Sequence, residues 1–208
     1  MNLLISKYCS VNNNKVILND KIVYSLEGEQ PNVFLKGAYR NLPEKYPKFF
    51  KMDALSKLAF VASEYLMIDK KLDDYNKSNI AVIIQNASST IDVDRKYQET
   101  IQDKDSYFPN PSLFVYTLPN IMIGEICIKN KIKGENILFI NEKFSPELAM
   151  QQMDALFYEN KTEACIVGWV EQSGNNYNAV LFFVEKEGKV NDFYSICNTD
   201  NLKKIYHH

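Results

Sequence analysis

At 208 residues the chain is long enough for one well-buried core and short for two. Apolar residues make up 46% of it and charged residues 24%, ordinary for a globular protein, with a formal net charge of -2. Among 24 basic residues only Arg40 and Arg95 are arginine. The planar fork that reads phosphate and guanine is therefore scarce, and no nucleic-acid partner is expected.

The seven glycines form no G-x-G or G-x-x-x-x-G-K pattern, which excludes the usual nucleotide-cradling loops. Cys9, Cys127, Cys165 and Cys197 are widely spaced and form no C-x-x-C pair. They read as free thiols in a reducing compartment, and neither a metal site nor a cofactor is expected. Histidine occurs only as His207 and His208, so the body of the chain supplies no Ser-His-Asp or Cys-His arrangement. No apolar run reaches the roughly 18 residues of a membrane span, and MNLLISKY is too short for a signal peptide. A cytoplasmic protein with no membrane partner is expected.

In chain order, Leu3 to Val11 reads as a strand that turns at Asn12-Asn13-Asn14 into a second extended piece, Lys15 to Leu18. Gly28 to Tyr46, with Pro31, Gly37 and Pro43, reads as an irregular connection. After Asp53, Leu55, Leu58, Ala59, Ala62 and Leu66 follow helical spacing, and that helix is expected to end near Asp69. The run Ile80 to Ile84 predicts a strand buried on both faces. A polar helix is expected over 92–103, and Pro109 and Pro111 break the chain before Leu113. Thr117 can cap a helix that begins at Pro119 and shows Ile121, Met122, Ile126 and Cys127 on its apolar face.

Ile137 to Ile140 gives the next strand. Ser145-Pro146-Glu147 then starts a helix over 145–160: a cap, a proline at the first position and an acid in the first turn. Ala149, Met150, Met153, Leu156 and Phe157 form its stripe. Ala164 to Val170 and Asn178 to Glu187 are strands joined by the short turn Ser173-Gly174-Asn175-Asn176, hence an antiparallel hairpin. The order β-α-β-α-β-α-β-β predicts one α/β domain over residues 1–208. Its sheet should be mixed, mostly parallel and five-stranded, with helices on both faces.

Four stretches, in order, resemble the N-terminal half of a β-ketoacyl synthase, a protein of the thiolase fold. KMDALSKLAFVASEYL is similar to that family's basic-Met-Asp helix opening, and NIAVIIQNASS to its following strand. PNPSLFVYTLPNIMIGEICIKNKIKG resembles its Pro-rich loop, Leu-Pro-Asn step and small-residue helix. GENILFI and ACIVGWVEQ are similar to the strand before the nucleophile and the Gly-x-x-Glu strand end, here Gly168 to Glu171. Together these cover residues 1 to about 190, and they imply half of a thiolase-like fold.

The departures carry as much information. Where the family has Thr-Ala-Cys, a gap-free count between Gly134 and Gly168 places Asn141, Glu142 and Lys143. The family's two further catalytic residues, histidines or a histidine and an asparagine, belong to a C-terminal half. A helix N-terminus stabilises a thiolate and disfavours an ammonium ion, so Lys143 is expected to turn to solvent or to pair with Glu142. An amine nucleophile of depressed pKa is the sharper alternative.

The resemblance further implies an acyl pocket, for which Phe108, Phe114, Tyr116 and Met150 are candidates. It also implies contact with an acidic acyl carrier protein, for which Lys129, Lys131 and Lys133 are candidates. A half-fold would leave the apolar face of helix 145–160 partly bare, which predicts a homo- or heterodimer unless segment 28–50 and the C-terminal segment cover it. Three readings stay open: a non-condensing accessory subunit of type II fatty acid or polyketide assembly, by analogy including aryl polyene and flexirubin-type pathways; an acyltransferase of the 3-oxoacyl synthase type working with partner residues; and a structural homodimer.

Overall fold

Leu3–Asn12 (β1) turns at Asn13 and Asn14 into Lys15–Leu18 (β2), and a second tight turn at Asn19 and Asp20 leads into Lys21–Ser25 (β3). All four turn residues have φ between 45° and 66°, the left-handed region that two-residue hairpins need and that short Asn and Asp side chains tolerate. This computed structural model describes residues 2–208 other than Lys71, Ser106, Glu159, Asn160, Val190 and Asn191.

The segment expected to be irregular contains a helix, Pro31–Asn41 (α1). Pro31 opens it, where an N–H has no helical partner to lose, and Phe34, Leu35, Ala38 and Tyr39 form its buried stripe. Gly37 leaves room for Tyr24: a Cβ there would lie 2.2 Å from its hydroxyl, so the end of that side chain would have to shift. Asp53 caps Ala54–Leu66 (α2) by accepting the N–H groups of Leu55 and Ser56, each at 3.1 Å.

Ile80–Asn86 (β4) is buried at every position. Next come Ile91–Glu99 (α3), Pro111–Val115 (α4) and Ile121–Asn130 (α5). Thr117 does not cap α5: its hydroxyl donates to the Phe114 carbonyl at 2.7 Å, and Asn120 stands at the cap position. The chain continues through Asn136–Ile140 (β5), Pro146–Tyr158 (α6), Ala164–Ser173 (β6), Asn176–Lys186 (β7), Ser195–Ile196 (β8) and Thr199–Tyr206 (α7). The last two positions of the helix expected over 145–160 lie outside the described residues.

The sheet runs β3-β2-β1-β7-β6-β4-β5, with β8 paired to β1. β4 is parallel to β5 and β6, while β7 is antiparallel to both of its neighbours, β6 and β1. The five expected strands are β1, β7, β6, β4 and β5, and β2, β3 and β8 bring the sheet to eight among the described residues. The sheet is mixed as expected but not mostly parallel: β4–β5 and β4–β6 are parallel, and the other five pairings are antiparallel. Alternate strand residues feed two cores. Val82 and Ile84 pack with Leu58, Phe60 and Ile126 under α2 and α5; Ala81 and Ile83 pack with Met153 and Phe157 under α6.

The face of α6 expected to be bare is covered. Ala149, Met153 and Phe157 are fully buried, and α7 packs in the same core through Leu202 and Ile205. The outer side of α6 carries the exposed Glu147, Gln151 and Asp154 and ends in Tyr158, 84% exposed. Of the two covering segments considered, the C-terminal one does this; α1, in segment 28–50, packs on the opposite face.

Candidate functional site: the strand–helix junction

The junction between β5 and α6 is braced from below by a residue that ends an apolar run. Gln85, fully buried near the end of β4, accepts from Asn141 Nδ2 at 3.0 Å and from the Ser145 N–H at 2.7 Å. Its own amide donates to the Ser145 carbonyl at 2.8 Å. The Asn141 N–H donates to the Asn86 carbonyl at 2.8 Å, prolonging the β4–β5 pairing by one residue. Ser145 accepts the Leu148 N–H at 3.2 Å, so it is the helix cap and its hydroxyl is engaged.

Between these fixed points, Glu142 and Lys143 sit on an exposed bend. Lys143 makes no ion pair with Glu142 among the described residues, so of the two expected arrangements the solvated one is present. Neither residue has a positive φ; near the carboxyl end of the sheet the left-handed backbone belongs instead to Ser89, at φ 53°. Phe144 is buried beside them, its ring 4.9 Å from that of Tyr206 and 6.2 Å from that of Phe182.

Glu171 ties the ends of β4 and β6 together. One carboxylate oxygen accepts from Asn86 Nδ2 (2.9 Å), the Ala87 N–H (2.8 Å) and the Ser88 N–H (3.1 Å). Gly168, three residues earlier, lets β6 approach β7 closely: a Cβ there would lie 2.0 Å from the Val180 carbonyl oxygen.

Thiol chemistry is remote from this junction. Cys9 and Cys165 are fully buried, and burial pushes both thiols far up. Burial raises Cys127 to about 11, and burial with the Asp154 charge raises Cys197 to about 12. None of the four is a thiolate at neutral pH. Among the described residues no three His, Cys, Asp or Glu side chains are grouped to hold a metal ion.

The four pocket candidates are not brought together. Tyr116 is buried in the α2-side core, its hydroxyl 3.2 Å from Glu125. Met150 packs on the opposite face, its sulfur 3.7 Å from that of Cys197. Phe108 and Phe114 are 77% and 51% exposed. A single wall fails because Tyr116 and Met150 lie on opposite sides of the sheet. Of the carrier-contact candidates, Lys129 is engaged by Glu44 at 2.7 Å and Glu64 at 3.7 Å. Lys131 ends α5 in the left-handed conformation, and both it and Lys133 are exposed. Sequence reasoning passed over Gln85 and Glu171 as braces, although a glutamine closing the run Ala81 to Ile84 was the signal.

No family model matches the chain, and no curated protein matches it. Solved structures do. The ishigamide ketosynthase/chain length factor superposes with a TM-score of 0.69 at 14% identity, covering 92% of this chain and 64% of that one. A type II polyketide synthase acyl-carrier protein in complex with its ketosynthase gives 0.60 at 10% identity, covering 89% and 62%. A ketosynthase in complex with its chain length factor from Xenorhabdus doucetiae gives 0.57 at 12% identity, covering 91% and 81%. The chain thus spans less than two thirds of the first two. Its fold is the ketosynthase type of thiolase-like fold.

Proposed function

We propose that the chain is a non-condensing, ketosynthase-like subunit that pairs with a ketosynthase in the assembly of carrier-bound acyl or polyketide chains. The observation that carries this reading is the junction itself. A strand, a buried glutamine brace and a capped helix form the junction, and Lys143, which the gap-free count puts at the nucleophile position, is exposed there, with histidine confined to His207 and His208. An amine nucleophile needs a desolvated site or a neighbouring base, and Lys143 is exposed and pairs with no titratable side chain among the described residues.

Two features support association. β5 is the last strand of the sheet, with one edge unpaired among the described residues and Ile140 half exposed. Between α3 and α5, one stretch of chain exposes Tyr107, Phe108, Phe114, Val115 and Leu118, all large apolar or aromatic residues. On this reading Phe108 and Phe114 become pocket or interface residues only when a partner completes the wall, and Lys131 and Lys133 are free to meet an acidic carrier. The working setting is soluble type II assembly in the cytoplasm.

The test is covalent. The protein is incubated with an acyl thioester, whose thiol would leave on transfer of the acyl group to an amine as an amide, and examined by intact mass and peptide mapping. No adduct at Lys143 is expected, and Lys143→Ala should support partner-dependent chain extension as well as the wild type does. An acylated Lys143, with loss of extension in the alanine variant, overturns the proposal in favour of an acyltransferase.

A further inference from the structure

Among the described residues, three buried side-chain oxygens have no hydrogen-bond partner: Glu125 Oε2, Glu171 Oε1 and Asn178 Oδ1. The last two are neighbours. Glu171 on β6 stands directly opposite Asn178 on β7 in the antiparallel register. Trp169 and Val180, the opposed pair two positions away, belong to the core beneath α6 and α7, so by strand alternation Glu171 and Asn178 rise on that face too. Directly opposed side chains start about 5 Å apart at Cβ, which brings the two open oxygens to one place.

A buried acceptor left open is costly, and a buried charge left alone is costlier. Glu125 and Glu185, both buried, each hold a lysine: Lys48 at 2.9 Å and Lys70 at 2.6 Å. Glu171 has no ion partner among the described residues, and its second oxygen takes only the neutral donors of Asn86, Ala87 and Ser88. Its charge reaches α7. There burial first, and the Glu171 charge second, hold the Tyr206 hydroxyl above its usual range, yet Tyr206 donates no hydrogen bond to that carboxylate among the described residues. The place therefore lacks a positive charge as well as a donor.

Asn12 adds a third oxygen. It lies on β1, one position beyond the paired Val11 and Ala179, on the other flank of Asn178. Its amide N–H donates to Ser10 Oγ at 3.1 Å, which leaves its oxygen for the same row. One carboxylate with amide oxygens suits a hard cation of single charge. The set of several acidic ligands that a divalent ion prefers is not grouped anywhere among the described residues.

We propose that Glu171 and Asn178 hold a small monovalent cation between the ends of β6 and β7, beneath the end of α7. Through the second Glu171 oxygen this ion steadies the end of β4, next to the Gln85 that braces the β5–α6 junction. The inference does not rest on the accessory-subunit reading.

Trp169, the one tryptophan of the chain, lies two residues before Glu171 on the same face and reports on the site. The full chain, dialysed into tetramethylammonium chloride, is titrated with potassium chloride or sodium chloride at constant ionic strength, and Trp169 emission and the thermal midpoint are read. At least one of the two ions should give a saturable emission change. At about ten times its half-saturating concentration it should raise the midpoint by about 3 °C or more. Glu171→Gln offers the Asn178 oxygen an N–H in place of the cation, so its midpoint should not depend on either ion and should be no lower than that of ion-free wild type. Asn178→Leu should weaken the ion by about tenfold or more, and either variant suffices should the other not fold. A wild type indifferent to both ions overturns the proposal; an Asn178 amide turned to donate to Glu171, or a bridging water alone, would give that result. An undiminished ion response in either variant overturns it as well.

Discussion

Glu185, at the end of β7, is a carboxylate with no exposed surface, and its charge is tolerated because Lys70 lies 2.6 Å away and the Tyr75 hydroxyl donates to it. A buried pair adds little net stability, but a buried charge left alone is costly. Lys70→Met is therefore expected to destabilise the fold by about 3 kcal/mol or more in urea denaturation, and adding Glu185→Gln should recover most of that loss. Asp53 shows a second form of the same physics. Burial pushes its carboxyl above the usual range, against the opposing pull of the Ser56 and Leu55 hydrogen bonds and Lys57. A carboxyl whose folded pKa exceeds its unfolded one binds protons more readily in the folded state. Stability linked to Asp53 therefore rises as pH falls through the folded value, and the gain is complete near the unfolded value of about 3.9. Asparagine keeps the cap without the charge. Urea midpoints of wild type and Asp53→Asn should converge, or cross in favour of the wild type, as pH is lowered across that window; a widening deficit of the wild type would contradict this.

At the scale of elements, the sequence patterns that survived were those with one strong physical cause. The run Ile80 to Ile84 announced a strand covered on both faces, and Ser145-Pro146 announced a helix start, because burial and capping act locally. What stayed hidden depended on partners distant in sequence. Pro31 and Gly37 look like breakers, yet the first opens α1 and the second makes room for Tyr24. The four pocket candidates share a chemistry and not a side of the sheet, which no linear spacing reports. The brace at Gln85 could be suspected from its place after four apolar residues, but its targets at Asn141 and Ser145 could not. Gly168 gives the sharpest prediction at this scale. Its φ of 156° and the 2.0 Å that would separate a Cβ from the Val180 carbonyl oxygen leave no room for a side chain against backbone. Gly168→Ala should cost about 3 kcal/mol or abolish soluble expression, since relief requires β6 and β7 to part. Wild-type thermal stability in that variant would show that the strand pair is looser than described.

For the whole molecule, the ketosynthase-type fold is reached with a sheet whose first strand lies beyond its last long one, so that β1 and β7 hold the two parts of the chain together. α7 covers the sheet face beside α6, and the proposed association uses the β5 edge and the aromatic stretch before α5. On the proposed function these surfaces meet a ketosynthase and Lys143 contributes no chemistry. The most direct test of this is purification of the tagged chain from its own host, with native mass spectrometry and peptide identification of whatever accompanies it. A near-stoichiometric complex with a full-length ketosynthase is expected, undiminished in Lys143→Ala. A homodimer or monomer that brings down no ketosynthase would contradict it and leave the fold as the only thing the chain shares with those enzymes.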